Sequence, residues 1–112
     1  MKIATQVAIR RATPNDVVQL TELVEQYRDF YRQERDDKTN QYLIDRISKN
    51  ESVIFVAEID GLLVGFTQCY PTFSTLSLSG IWLLNDLFVD PAYRGQHIAD
   101  QLMQSTEAAA QN

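Results

Sequence analysis

From Val17 to Tyr31 the apolar residues fall three and four apart, at Val17, Leu20, Val24, Tyr27 and Tyr31. That spacing predicts a first helix with one continuous apolar stripe, and Glu22, Glu25 and Asp29 fall on its other side. Its start is marked by Thr13-Pro14-Asn15-Asp16: Thr13 can cap, Pro14 suits the first helical position, and Asp16 closes a capping box. Before it, Val7 and Ile9 alternate with small or polar residues, so Gln6 to Ala12 reads as a strand. The polar run Gln33 to Lys38 is a connection. Thr39 then caps a second, shorter helix through Tyr42, Leu43 and Ile47. Ser52 to Ile59 and Leu62 to Tyr70 are strands joined by Asp60-Gly61, a two-residue hairpin signal because both turn positions need positive φ.

The last third has a different rhythm. Pro71 to Gly80 is rich in Ser and Thr and reads as a loop or ragged strand ends. Ile81 to Val89 is a strand with Trp82, Leu83, Leu84, Leu87, Phe88 and Val89 on both of its faces, the pattern of a fully buried strand. It breaks at Asp90-Pro91, and a helix follows from about Gln96. The order is β-α-α-β-β-β-α in one domain spanning 1–112, of α/β class with a mixed α+β sheet.

Composition narrows the function classes. A net charge of −5 argues against nucleic acid as the main partner. No apolar run is long enough to span a bilayer, no membrane partner is expected, and the expected compartment is the cytoplasm. Cys69 is the one cysteine, so no internal disulfide forms; in an apolar strand it reads as a packed thiol. Nothing in the sequence groups residues as a metal site.

Chemistry concentrates after Trp82. Asn85 and Asp86 interrupt an apolar strand, and a buried carboxylate needs a partner or a task. Asp86 either pairs with an arginine or backbone amides, or serves as a base. Next, Tyr93-Arg94-Gly95-Gln96-His97-Ile98-Ala99 is a glycine-containing turn opening a helix, where unpaired N–H groups and Arg94 can hold a phosphate.

Taken together, Leu87-Phe88-Val89, Pro91 and Arg94-Gly95-Gln96-His97-Ile98-Ala99 resemble motif A of the GNAT superfamily of acyl-CoA-dependent N-acyltransferases. Only His97 departs, where that family has glycine. The resemblance covers the whole chain and implies acetyl transfer from acetyl-CoA, as cosubstrate, to a primary amine by direct attack on the thioester. It implies that the backbone of Leu87, Phe88 and Val89 pairs with the pantetheine arm. The pyrophosphate is then expected on the turn from Arg94 through Gly95, Gln96, His97 and Ile98 to Ala99. It makes Asp86 the candidate base, with Asn85 orienting a water, and puts the acceptor near Tyr27, Phe30 and Tyr31, with Glu34, Asp36 and Asp37 close by. Those acids would favour a cationic acceptor such as a polyamine, an aminoglycoside or a lysine side chain, although a charge run is commonly just a solvated face. For His97 three roles stand open: obstructing the phosphates, donating to one when protonated, or facing solvent.

Family members continue with a fifth strand, a fourth helix bearing a general-acid tyrosine, and two more strands. The chain is therefore expected to be a C-terminally incomplete GNAT-like domain, whose central strand has an unguarded apolar edge. Self-association through that edge, most simply as a homodimer, is expected. A catalytically silent GNAT-like module acting in CoA binding or assembly is the alternative to an active enzyme. A small α+β ligand-binding domain unrelated to CoA is a third, weaker account of the strand–turn–helix.

Overall fold

The computed structural model describes residues 6–111. Its elements follow the expected order: β1 (Ala8–Arg11), a 3₁₀ turn (Pro14–Asp16), α1 (Val17–Phe30), α2 (Thr39–Ser48), β2 (Val53–Ile59), β3 (Leu62–Ser74), β4 (Ser79–Val89), a second 3₁₀ turn (Pro91–Tyr93) and α3 (Ile98–Ala110). The four strands form one sheet in the order β1-β2-β3-β4, antiparallel at each pairing. At the β2–β3 hairpin, Asp60 and Gly61 both have positive φ, 49° and 81°. That twist matches the strands it joins.

Helices cover both faces. On one, Val17, Leu20 and Leu23 of α1 and Leu43 of α2 meet Ile54, Val56, Phe66 and Phe88. On the other, Ile98 and Leu102 of α3 meet Ala57, Ile59, Val64 and Val89. Gly65 makes the second contact close. A Cβ there would lie 3.0 Å from the Phe88 carbonyl oxygen and 3.2 Å from Leu102 Cδ1, so any larger residue would push strand and helix apart.

Three sequence expectations change. The doubly buried strands are β2 and β3, not β4. As the edge strand, β4 buries only Phe88 and Val89, and Leu83 is 56% exposed. The segment 71–80 is not a loop for most of its length. Pairing between β3 and β4 continues through Pro71↔Trp82 to Ser74↔Ser79 as a two-stranded ribbon beyond the end of β2. Pro71 is tolerated because β2 pairing stops at Cys69, so its missing N–H removes no ladder bond to a second neighbour.

The third change is Glu25. It is only 3% exposed rather than on the polar side of α1. It accepts hydrogen bonds from Thr39 Oγ1 at 2.7 Å, the Asp36 N–H at 3.0 Å and Arg28 Nη1 at 3.2 Å. Burial alone would push its carboxyl up, but these donors outweigh that and hold it below its ordinary value. Thr39 spends its hydroxyl on Glu25; it is the first residue of α2 rather than its cap.

At the start of the first helical segment the capping residues act as expected. The Thr13 N–H donates to Asp16 Oδ2 at 2.7 Å, while Arg10 grips both Asp16 oxygens at 2.8 Å and also reaches Glu58. Arg10's hydrogen bonds hold the buried Asp16 carboxyl down to about 2. A folded-state value below the ordinary 3.8 means that this contribution is complete above about pH 4–5 and disappears as pH falls through 2. Asp16→Asn should therefore cost about 1–2 kcal/mol near neutral pH, discounted for the partly exposed Arg10. Urea titrations of both proteins should show that gap closing as pH is lowered towards 2; a gap independent of pH would refute the assignment.

Candidate active site

The register of β4 builds the site. Gln68 lies opposite Asp86, but Cys69 lies opposite Leu84, so Asn85 is an extra residue and β4 bulges there. Just beyond the bulge, consecutive residues serve two separate cavities. Asn85 and Asp86 line one of about 320 Å³, between β4, β3 and the α1–α2 side. Leu87, Phe88 and Val89 line another of about 370 Å³, which continues along the turn into α3. Tyr27 lines both cavities.

The larger cavity gathers most of the residues expected to hold a cofactor. Arg94, Gly95, His97, Ile98 and Ala99 line it with the three β4 residues; Gln96 does not. Phe30 and Tyr31 line it too, so two of the expected acceptor-site aromatics stand on this side rather than beside Asp86. Arg94 turns back on its own strand. Its Nε donates to the Val89 carbonyl at 3.0 Å, and its guanidinium lies 5.4 Å from the Phe88 ring centre and 5.8 Å from that of Phe30. The cation is thus fixed by an aromatic cradle, and the Val89 carbonyl already has a donor.

Gly95 and His97 both have positive φ, 83° and 61°, and His97 is the residue immediately before α3. This backbone requirement is a physical reason for glycine at position 97. The imidazole is largely exposed, with Nδ1 3.5 Å from Asp100 Oδ2.

In the smaller cavity Asp86 is half-buried. Its Oδ2 accepts from Gln68 Nε2 at 2.9 Å and its Oδ1 from Asn85 Nδ2 at 3.0 Å. Among the described residues no lysine, arginine or histidine makes an ion pair with it. Both fixed donors are neutral amides, so the arginine pairing left open by the sequence is not made. Burial, and then the Asp86 carboxylate, push the Tyr27 phenol up to about 12. Burial likewise raises the Cys69 thiol, as expected of a packed cysteine.

Sequence reasoning missed Gln68, Tyr42 and Tyr70 here. The two phenolic oxygens are 2.8 Å apart across the cavity, and the Arg46 guanidinium sits over the Tyr42 ring at 4.7 Å. Burial and the Tyr42 bond raise the Tyr70 phenol. No local pattern marks these residues; only the β3–β4 register and α2 packing unite them. Of the acidic run, Asp36 lines this cavity, together with the basic residues Arg28 and Lys38.

A bulged strand here parts a carboxylate-bearing cavity from a cleft that opens onto a helix-forming turn. Residues 20–112 match the Acetyltransferase (GNAT) family. The uncharacterized N-acetyltransferase YhfO of Bacillus subtilis (strain 168) is 42% identical over 106 residues, covering 93% of this chain and 71% of that protein. A crystal structure of a probable acetyltransferase superimposes with a TM-score of 0.88 at 37% identity, over 93% of this chain and 71% of the other. A crystal structure of a predicted acetyltransferase with acetyl-CoA, from Clostridium acetobutylicum, shares the fold. Its TM-score is 0.77 at 17% identity, over 95% of this chain and 74% of its own. The chain belongs to the GNAT family of acetyltransferases, which use acetyl-CoA.

The left-handed backbone at His97 yields a prediction. A non-glycine residue there costs about 1–2 kcal/mol, partly offset by glycine's larger unfolded-state entropy, and the exposed contact with Asp100 returns little. His97→Gly should raise stability by about 0.5–1 kcal/mol, whereas β-branched His97→Val should lower it. Thermal melts of the two variants compare them directly, and identical midpoints would contradict the assigned backbone.

Proposed function

We propose that the chain transfers the acetyl group of acetyl-CoA to a primary amine, with the cosubstrate in the larger cavity and the amine beside Asp86. What carries this reading is the continuity of β4: residues 85–86 face one cavity and 87–89 the next, so two bound reactants would meet at the bulge. Pantetheine runs along Leu87, Phe88 and Val89, and the pyrophosphate rests on the turn from Arg94 to Ala99, whose N–H groups supply positive potential. Gln96 contributes backbone alone, and His97 faces solvent.

An amine is protonated near neutral pH, and Asp86 takes that proton directly or through a water held by Asn85. The freed nitrogen pair attacks the thioester carbonyl carbon, the C–S bond breaks, and the sulfur leaves as thiolate. A thiol whose pKa is roughly 8.5 leaves without strong assistance. As the amide forms, the nitrogen gives up its second proton, the departing thiolate takes one up to become CoA thiol, and the proton on Asp86 returns to solvent. Arg28 and Lys38 line the same pocket, but among the described residues no cation pairs with Asp86, so its carboxylate suits an acceptor that brings one: a polyamine, an aminoglycoside or a lysine side chain. Tyr27, at the boundary of the cavities, is the acceptor-site aromatic; Phe30 and Tyr31 pack on the donor side. No metal enters the reaction, and the expected compartment is the cytoplasm; among the described residues no helix is long and apolar enough to cross a membrane.

Asp86→Asn keeps the shape of the side chain and removes the base. Thiol release from acetyl-CoA in the presence of a polyamine, an aminoglycoside or a lysine peptide should fall about 10²–10⁴-fold. CoA-dependent thermal stabilisation should persist. Undiminished turnover would remove Asp86 from the mechanism. Stabilisation by CoA with no turnover of any amine by the wild type would favour the silent module.

That second reading has its own support in the open edge of β4, where Ile81, Leu83 and Leu84 are exposed and no lysine, arginine or proline guards the strand. We infer that the 112-residue chain self-associates there, most simply as an antiparallel β4–β4 homodimer. Size exclusion with light scattering at micromolar concentration should return twice the monomer mass, and a Lys substitution at Leu83 should shift it towards monomer. A monodisperse monomer would dispose of the inference.

A further inference from the structure

We propose that Gln68 is a positioning residue for the acetyl-transfer reaction, holding the Asp86 carboxylate aimed into the acceptor pocket. This rests on the reading of Asp86 as the base. Gln68 is 4% exposed, between the buried Thr67 and Cys69 of β3, and stands directly across from Asp86. A carboxylate accepts and cannot donate, so the Gln68 amide must turn its nitrogen towards Oδ2, and it does so at 2.9 Å. The consequence falls on the other end of the amide. Gln68 Oε1 is buried and, among the described residues, has no hydrogen-bond partner.

Burying an amide with one end unmatched is unfavourable, and an apolar residue of the same shape would avoid it. A glutamine kept for packing alone has no reason to be there. One kept for its N–H does. Asn85 donates to Oδ1 and Gln68 to Oδ2, and the Tyr27 hydroxyl also engages the carboxylate, leaving a lone pair for an incoming ammonium. Both amide donors are neutral and add no charge that would repel a cationic acceptor.

Other ionisable groups surround the pair. Tyr27 and Arg28 come from α1, Asp36 and Lys38 from the α1–α2 connection, Tyr42 from α2 and Tyr70 from β3. Arg28 is engaged by Glu25, and the Tyr70 hydroxyl by Tyr42. Arg46 acts on Tyr70, and Cys69 is the buried thiol next in sequence to Gln68. Gln68 and Asn85 donate to the two carboxylate oxygens, and the Tyr27 hydroxyl engages the same carboxylate.

The test is made on the full chain carrying ¹³C-labelled aspartate, comparing the chemical shift of the Asp86 carboxyl carbon in wild type and variants at neutral pH. In Gln68→Met, which removes the donor at nearly constant volume, that resonance should move, and in Gln68→Glu, which sets a carboxylate where the donor stood, it should move further. Should Gln68→Met fail to fold, the isosteric Gln68→Glu carries the test. In turnover, Gln68→Met should lower kcat about tenfold and leave KM for acetyl-CoA within about twofold. Folded variants with the Asp86 resonance and kcat of wild type would overturn the proposal while leaving Asp86 as base intact. A fully active Asp86→Asn would instead overturn the base assignment on which it rests.

Discussion

The buried carboxylate of Glu25 ties the helical layer together. It collects a hydroxyl from α2, a backbone N–H from the connecting segment and a guanidinium from its own helix. Removing those partners would strand a charge in the interior, which is far costlier than an ordinary lost hydrogen bond. Beside the apolar contact of Leu43, the Glu25 carboxylate therefore fixes α2 against α1 and one wall of the smaller cavity, which Thr39 and Asp36 line. The opposite wall is set by the bulge at Asn85. Site geometry is thus the product of two local irregularities, a charge inside a helix interface and an extra residue in a strand.

The fold was largely legible from periodicity and turn chemistry. The stripe from Val17, the Thr13–Asp16 start and the Asp60-Gly61 hairpin are local signals, and local hydrogen bonds realise them. Failures occurred where burial is decided non-locally. Glu25 has nothing beside it in sequence that foretells Thr39 and the Asp36 N–H arriving from beyond the connection. The apolar character of β4 suggested two covered faces, whereas only Phe88 and Val89 at its end are buried; its open edge was expected from the resemblance. For residues 71–80, Ser and Thr content suggested a loop, yet threonine and the aromatics suit a strand, and pairing with a partner only a short turn away outweighs composition.

Candidate site residues divided in the same manner. Leu87 to Ala99 is one continuous stretch, so its members stay neighbours in space, apart from Gln96, which the turn directs elsewhere. The acceptor side is assembled from four elements, and its sequence signals were correspondingly thin. Tyr27 was visible on the helical stripe, whereas Gln68, Tyr42 and Tyr70 become meaningful only once the strand register and helix packing are known.

Tyr27 stands where the two cavities adjoin, its ring within 6 Å of both Phe66 and Phe88. A partition one side chain thick links the fates of the chambers it separates. Any replacement at this position reshapes both at once, so one cavity cannot be altered through it without also disturbing the other. Tyr42, Tyr70, Asp36 and Lys38 border only the smaller chamber. Variation among relatives that handle different amines should therefore accumulate at those positions, leaving the dividing ring as the least evolvable part of the pocket wall.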